Sequence, residues 1–115
     1  MQDKLGDKAR LQHILDAIIA IQGYVSEASY KDFMANSMMQ DACVWQLQII
    51  GEASSKVSQE LKETHSEIPW QDMKKFRNIA AHQYFGIDEN IIWDIIQQDL
   101  DTLRKQVFAI LEKMK

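Results

Sequence analysis

Residues 89–115 read ENIIWDIIQQDLDTLRKQVFAILEKMK. The apolar positions Ile92, Ile96, Leu100, Leu103, Val107, Ile110 and Met114 are spaced 4, 4, 3, 4, 3 and 4 apart. Steps of three and four keep side chains on one face of an α-helix and would scatter them over both faces of a strand. The spacing therefore predicts one long amphipathic helix from Glu89 to about Met114, with Asp88 able to cap it. Arg104, Lys105, Lys113 and Lys115 crowd its end, where positive charge complements the helix dipole.

The same period recurs upstream. Leu11, Ile14, Leu15, Ile18, Ile19, Gln22 and Val25 predict a helix over about Arg10 to Val25, with Asp7 as a cap and Gly23 loosening its end. Ser29 to Met34 reads as a short helix capped by Ser26 or Ser29, and Asn36-Ser37 separates it from the next element. Ala42, Trp45, Ile49, Ile50, Ala53, Val57 and Leu61 predict a second long helix over about Met38 to Glu63. Gly51 lies inside it, at a cost of roughly 1 kcal/mol against alanine; close packing against a neighbouring helix is the structural reason expected. Pro69 suits the first turn of a further helix, since its missing N–H has no partner there in any case. That helix carries Trp70, Met73, Phe76, Ile79 and Ala80 and should end near Phe85-Gly86. Four principal helices joined by short connections imply an all-α fold, an antiparallel four- to five-helix bundle.

Composition agrees. The chain has 115 residues with 46 % hydrophobic and 26 % charged, 4 Gly and 1 Pro, too few turn-formers for a sandwich or barrel. Residues 1–115 read as one domain. Thirteen Lys and Arg against seventeen Asp and Glu leave a formal net charge of −4, which argues against binding nucleic acid by bulk charge but allows a local basic site. The single cysteine, Cys43, can make no internal disulfide and no cysteine-based zinc site. The charged first residues lack the apolar core of a signal peptide, and no apolar run is long enough to span a membrane. A cytoplasmic protein without membrane partners is expected.

One segment concentrates chemistry: Lys74-Lys75-Phe76-Arg77-Asn78-Ile79-Ala80-Ala81-His82-Gln83-Tyr84-Phe85. At 100° per residue Asn78 and His82, four apart, share a helix face, as do Arg77 and Tyr84, seven apart. Arg77 and His82 differ by roughly 140° round the helix. They can converge only if the last turn unwinds near Ala81-His82 or if two chains pool their residues. His, with an ordinary pKa near 6.5, suits proton transfer, and the planar fork of Arg suits two phosphate oxygens at once. Lys74 and Lys75 add a basic surface for phosphates. Read without the surrounding pattern, Arg77 is a salt-bridge partner for Glu52 or Asp72, Lys74-Lys75 a solvated face, and Trp45, Trp70 and Trp93 core or dimer contacts. The carboxylates Asp41, Glu52 and Glu60 lack the second helix of ligands that a di-iron bundle needs, so neither metal nor cofactor is expected.

Arg77, four residues, His82, one residue and Tyr84 spell R-x4-H-x-Y, which resembles the signature of HEPN domains. Ile50-Gly51-Glu52-Ala53, Ile68-Pro69-Trp70 before Met73, and Tyr84-Phe85-Gly86-Ile87-Asp88 before Ile92-Trp93 extend the resemblance to the HepT-like branch, from about Leu11 to Leu111. That branch is the toxin half of the HEPN–minimal nucleotidyltransferase modules, a type VII-like toxin–antitoxin system. The resemblance implies a homodimeric, metal-independent endoribonuclease with Arg77, Asn78 and His82 lining a cleft between protomers. It also implies a cognate nucleotidyltransferase antitoxin that adenylylates Tyr84. The other reading is a non-catalytic helical module that docks a nucleotidyltransferase or binds nucleotide, with Arg77 holding phosphate only.

Overall fold

A computed structural model describes residues 6–82 and 89–115, with residues 80–82 described by their backbone. The helices are α1 (Gly6–Val25), α2 (Tyr30–Met34), α3 (Ser37–Ser55), α4 (Gln59–Thr64), α5 (Trp70–His82), α6 (Glu89–Asp94) and α7 (Leu100–Lys113), with a π-helical turn over Ile95–Asp99 joining the last two. No strand occurs among the described residues, and the fold is the expected all-α, HEPN-like bundle. No described helix is long and apolar enough to cross a membrane.

α3 is the central rod. It packs along α1 on one side and along α5 on the other, while α7 closes against α1. The apolar stripe of α1 supplies Leu11, Ile14, Ile18 and Ile21, each fully buried. α3 adds Cys43, Leu47 and Ile50, α5 adds Met73, and the C-terminal stripe adds Ile92, Leu100 and Val107. Trp70 is buried as expected of a core residue, whereas Trp45 is 61 % exposed and belongs to no core. At the C-terminal end Arg104 Nη1 donates to Gln22 Oε1 at 2.6 Å, tying α7 to α1.

Capping residues set the breaks between helices. Ser29 caps α2 in a reciprocal box, accepting from the Asp32 N–H while the Asp32 carboxylate accepts from the Ser29 N–H. Asn36 caps α3 by accepting from the Met39 N–H at 3.0 Å. The buried Gln40 amide donates to the Phe33 carbonyl at 2.8 Å and the Met34 carbonyl at 3.2 Å, closing the end of α2.

Three boundaries differ from those the periodicity predicts. The single helix expected over Met38 to Glu63 is two, α3 and α4. Ser58 caps α4 through the Leu61 N–H, and the Asp7 carboxylate accepts from both the Ser58 N–H at 2.8 Å and its hydroxyl at 2.6 Å. Asp7, read as a cap for its own helix, thus pins a different one across the bundle. α1 ends at Val25, as the spacing predicts, two residues past Gly23. Pro69 stands just outside α5 rather than in its first turn, its carbonyl accepting from the Met73 N–H at 3.1 Å. The predicted last helix is interrupted by the π turn. Its two consecutive apolar steps of four, Ile92–Ile96–Leu100, are wider than 3.6 residues per turn, and the broader turn keeps all three buried. The predicted helix end at Phe85-Gly86 and the Asp88 cap lie outside the described residues.

α6 is held by aromatic contacts to α2. The Phe33 and Trp93 rings sit 5.1 Å apart, Tyr30 meets Trp93 edge-on at 6.1 Å, and the Tyr30 hydroxyl donates to Asn90 Oδ1. The chain that leaves α5 therefore re-enters the bundle at a fixed point beside α2.

Candidate active site

α5 has two faces with different duties. Trp70, Met73 and Phe76, three residues apart, are buried against the bundle, and the Trp70 indole N–H donates to the His65 carbonyl at 3.0 Å. Lys74, Lys75 and Asn78 are exposed beside that stripe, and Arg77, one turn beyond Met73, lies at the α3 seam with its side chain 44 % exposed. One helix thus anchors itself by one stripe and presents its lysines beside it.

Gly51 on α3 is where α5 comes closest. A Cβ added there would lie 2.4 Å from Arg77 Cγ, 2.7 Å from the Arg77 backbone nitrogen and 3.1 Å from the Met73 carbonyl oxygen. No side chain fits under the backbone of α5 at that point. The close packing expected of Gly51 is present, and its partner is the residue that begins the motif.

The next residue uses that proximity. Arg77 Nε lies 3.1 Å from Glu52 Oε2, with the two side chains 44 % and 46 % exposed. Glu52 also meets Lys56 Nζ at 3.4 Å. Of the two partners expected for Arg77, the structure selects Glu52, on α3. The contact is made through Nε; the guanidinium carries four further N–H donors on its two Nη atoms, the planar fork that grips phosphate. At this exposure the pair is worth about 0–1 kcal/mol of stability, so its main effect is on where the guanidinium sits.

The backbone of α5 stays helical through His82. Unwinding of the last turn is thereby removed as a route to convergence. Arg77 and His82 remain roughly 140° apart in azimuth and about 7.5 Å apart along the axis, while Asn78 and His82 stand one turn apart on one side. The His82 side chain and all of Tyr84 lie outside the described residues.

Other reactive groups sit elsewhere. Cys43 is fully buried, and burial pushes its thiol up to about 11, so it is no nucleophile near neutral pH. His65 lies 3.4 Å from Glu67. Among the described residues no cluster of three His, Cys, Asp or Glu could hold a metal ion. The groove beside α5 brings in a cation that no spacing argument finds. Lys62 of α4 lines it together with Lys74, and twelve residues with a turn between them hide that pairing in the sequence.

A model of the ribonuclease HepT-like family matches residues 14–110. The chain belongs to this family. A HepT-like relative from Thermococcus cleftensis, "Probable ribonuclease HepT", is 35 % identical over 101 residues, covering 88 % of this chain and 92 % of the relative. A "Putative RNase" from Caldanaerobacter subterraneus subsp. tengcongensis is 37 % identical over 105 residues, covering 91 % and 94 %. "Gamma-glutamylcyclotransferase and putative RNase" from Methanocaldococcus jannaschii is 32 % identical over 107 residues; the match covers 93 % of this chain and 48 % of that protein, so the HepT-like chain spans about half its length. No solved structure gives a significant match.

Proposed function

We propose that this HepT-like protein is a metal-independent endoribonuclease that works as a homodimer, with Arg77, Asn78 and His82 from two protomers facing one RNA strand. The observation that carries the reading is the unbroken helix. The positions of Arg77 and His82 are some 140° apart in azimuth along its backbone, so a site that uses both calls for a second copy. Family membership supports the chemistry, and the exposure of Arg77 and Asn78 supports access.

RNA supplies its own nucleophile. One His82 imidazole accepts the proton of the substrate's 2′-hydroxyl as that oxygen bonds to phosphorus. The partner protomer's imidazolium donates a proton to the departing 5′-oxygen as the P–O5′ bond breaks, leaving a 2′,3′-cyclic phosphate. A single His cannot hold both protonation states in one step, and a symmetric pair can. The Arg77 fork stabilises the charge that builds on the phosphoryl oxygens. Lys74 and Lys75 contact neighbouring phosphates, and Asn78, on the face of His82, supports it. In this reading the net charge of −4 does not oppose catalysis, because RNA meets α5 and dimerisation doubles the cations there.

The same reading makes the protein the toxin of a cytoplasmic toxin–antitoxin pair. A partner nucleotidyltransferase would transfer an adenylate to the Tyr84 phenol, placing a phosphate and its bulk beside the motif and occupying the place of RNA.

The test is RNA cleavage by purified protein with EDTA present, wild type against His82→Ala. We expect the variant to lose about 10²–10⁴-fold in rate with an unchanged thermal transition. Full cleavage by His82→Ala would overturn the mechanism. Cleavage absent from the wild type, with binding of the nucleotidyltransferase intact, would leave the non-catalytic module instead.

A further inference from the structure

The groove beside the outward face of α5 is a second place for phosphate. It measures about 530 Å³ and is lined from α3 by Ser54 and Ser55, from α4 by Gln59, Lys62 and Glu63, and from α5 by Trp70, Asp72 and Lys74. Two lysines on different helices, Lys62 and Lys74, line this space. Neither is ion-paired among the described residues, although Lys56, Lys105 and Lys115 each pair with a carboxylate. Of the nearby carboxylates, Glu63 accepts from Gln59 at 3.3 Å and Asp7 from Ser58. Asp72 lines the groove without reaching either ammonium.

Partial burial, then the nearby Lys74 ammonium, lowers the Lys62 pKa, with Asp7 acting weakly in the opposite sense. An anion seated between the two would remove that repulsion. Position ties the groove to the catalytic face. Lys74 precedes Arg77 by three residues, about 4.5 Å along α5 and some 60° round it. Ser55, in the groove wall, donates to the carbonyl of Glu52, the residue that holds Arg77. Lys62, Lys74 and Arg77 thus form a cationic line running from α4 on to α5, and Lys75, adjacent in sequence to Lys74, is not among the groove's lining residues.

We propose that the groove between α4 and α5 is a phosphate subsite for the RNA strand outside the cleaved bond, with Lys62 and Lys74 as its anion contacts. This rests on the ribonuclease reading and adds to it a direction for the strand, from α5 across to α4.

The probe is a fluorescent 2′-O-methyl oligouridylate, which has no free 2′-hydroxyl to attack, titrated with full-length protein over a series of salt concentrations. Lys62→Gln and Lys74→Gln should each weaken binding about three- to tenfold at low salt. Each should also flatten the slope of log K against log salt by about 0.7, the loss of one phosphate contact to a single strand. Lys62→Arg should restore both, and Lys105→Gln on α7 should change neither. An unchanged slope for Lys62→Gln, or an equal loss for Lys105→Gln, overturns the subsite. Cleavage of unmodified RNA is measured alongside. If the wild type cleaves and Lys62→Gln binds like it, only the subsite falls; if the wild type neither cleaves nor binds RNA, the ribonuclease reading falls and the subsite with it.

Discussion

The two sides of α3 are built on different principles. Toward α1 the bundle is filled by volume: Leu11, Ile14, Ile18 and Ile21 are fully buried, and aliphatic side chains set the spacing. Toward α5 the spacing is set by a missing side chain, because Gly51 lets the Arg77 backbone come within 2.7 Å of where a Cβ would be. The first contact is one of many and interchangeable in kind. The second is a single point, and the next residue, Glu52, turns it into a hold on Arg77. Core volume can be redistributed among neighbours, whereas a backbone approach fixed by one glycine cannot. The seam under the motif is therefore the less tolerant one, and on the proposed mechanism stability and activity should separate along this line.

The largest stability effect should come from the α1 side. Ile18→Ala removes a fully buried side chain and should cost about 2–5 kcal/mol in denaturant unfolding. The protein that remains folded should cleave RNA at close to the wild-type rate. A strong loss of rate in that folded fraction would break the division between the two sides.

Gly51→Ala should cost less stability, about 1–3 kcal/mol of overpacking, and more activity. The new methyl meets both Arg77 Cγ and the backbone of α5, and the backbone cannot swing aside as a side chain does. A fall of at least tenfold in kcat/KM is expected, read in a steady-state cleavage assay beside an unfolding curve. Wild-type activity would show that the close approach serves packing alone.

Glu52→Ala should be the mildest for folding, within about 1 kcal/mol, because the ion pair is half-exposed. Its effect should appear in cleavage, as a several-fold loss of kcat/KM that Glu52→Gln partly restores, since an amide oxygen still accepts from Nε. A rise in activity on removing Glu52 would sharpen the picture differently, marking the carboxylate as a competitor of phosphate for Arg77.

Much of the molecule is legible in the sequence, and the exceptions share a cause. The stripes from Leu11 to Val25 and from Ile92 to Met114 give helices, because a 3.6-residue period is written in consecutive positions. Gly51 is legible as a close approach, since a glycine inside a good helix needs a reason. The break at Ser58 is not, because the apolar steps run through it. What stops α3 is a cap reinforced by Asp7, which lies 51 residues away and reaches Ser58 only in the folded chain. The π turn escapes for a similar reason: its steps of four are also compatible with a regular helix.

The candidate site divides in the same way. Sequence by itself determined the all-α fold and the angle between Arg77 and His82, because each follows from spacing along single helices, and its motif residues pointed to the family. Only the tertiary structure decided that Glu52 rather than Asp72 holds Arg77, that Gly51 lies under that arginine, that Trp45 is exposed, and that Lys62 joins Lys74 across a groove. These are meetings between different helices. Their geometry is set by how the bundle packs, and no periodicity within one segment encodes it.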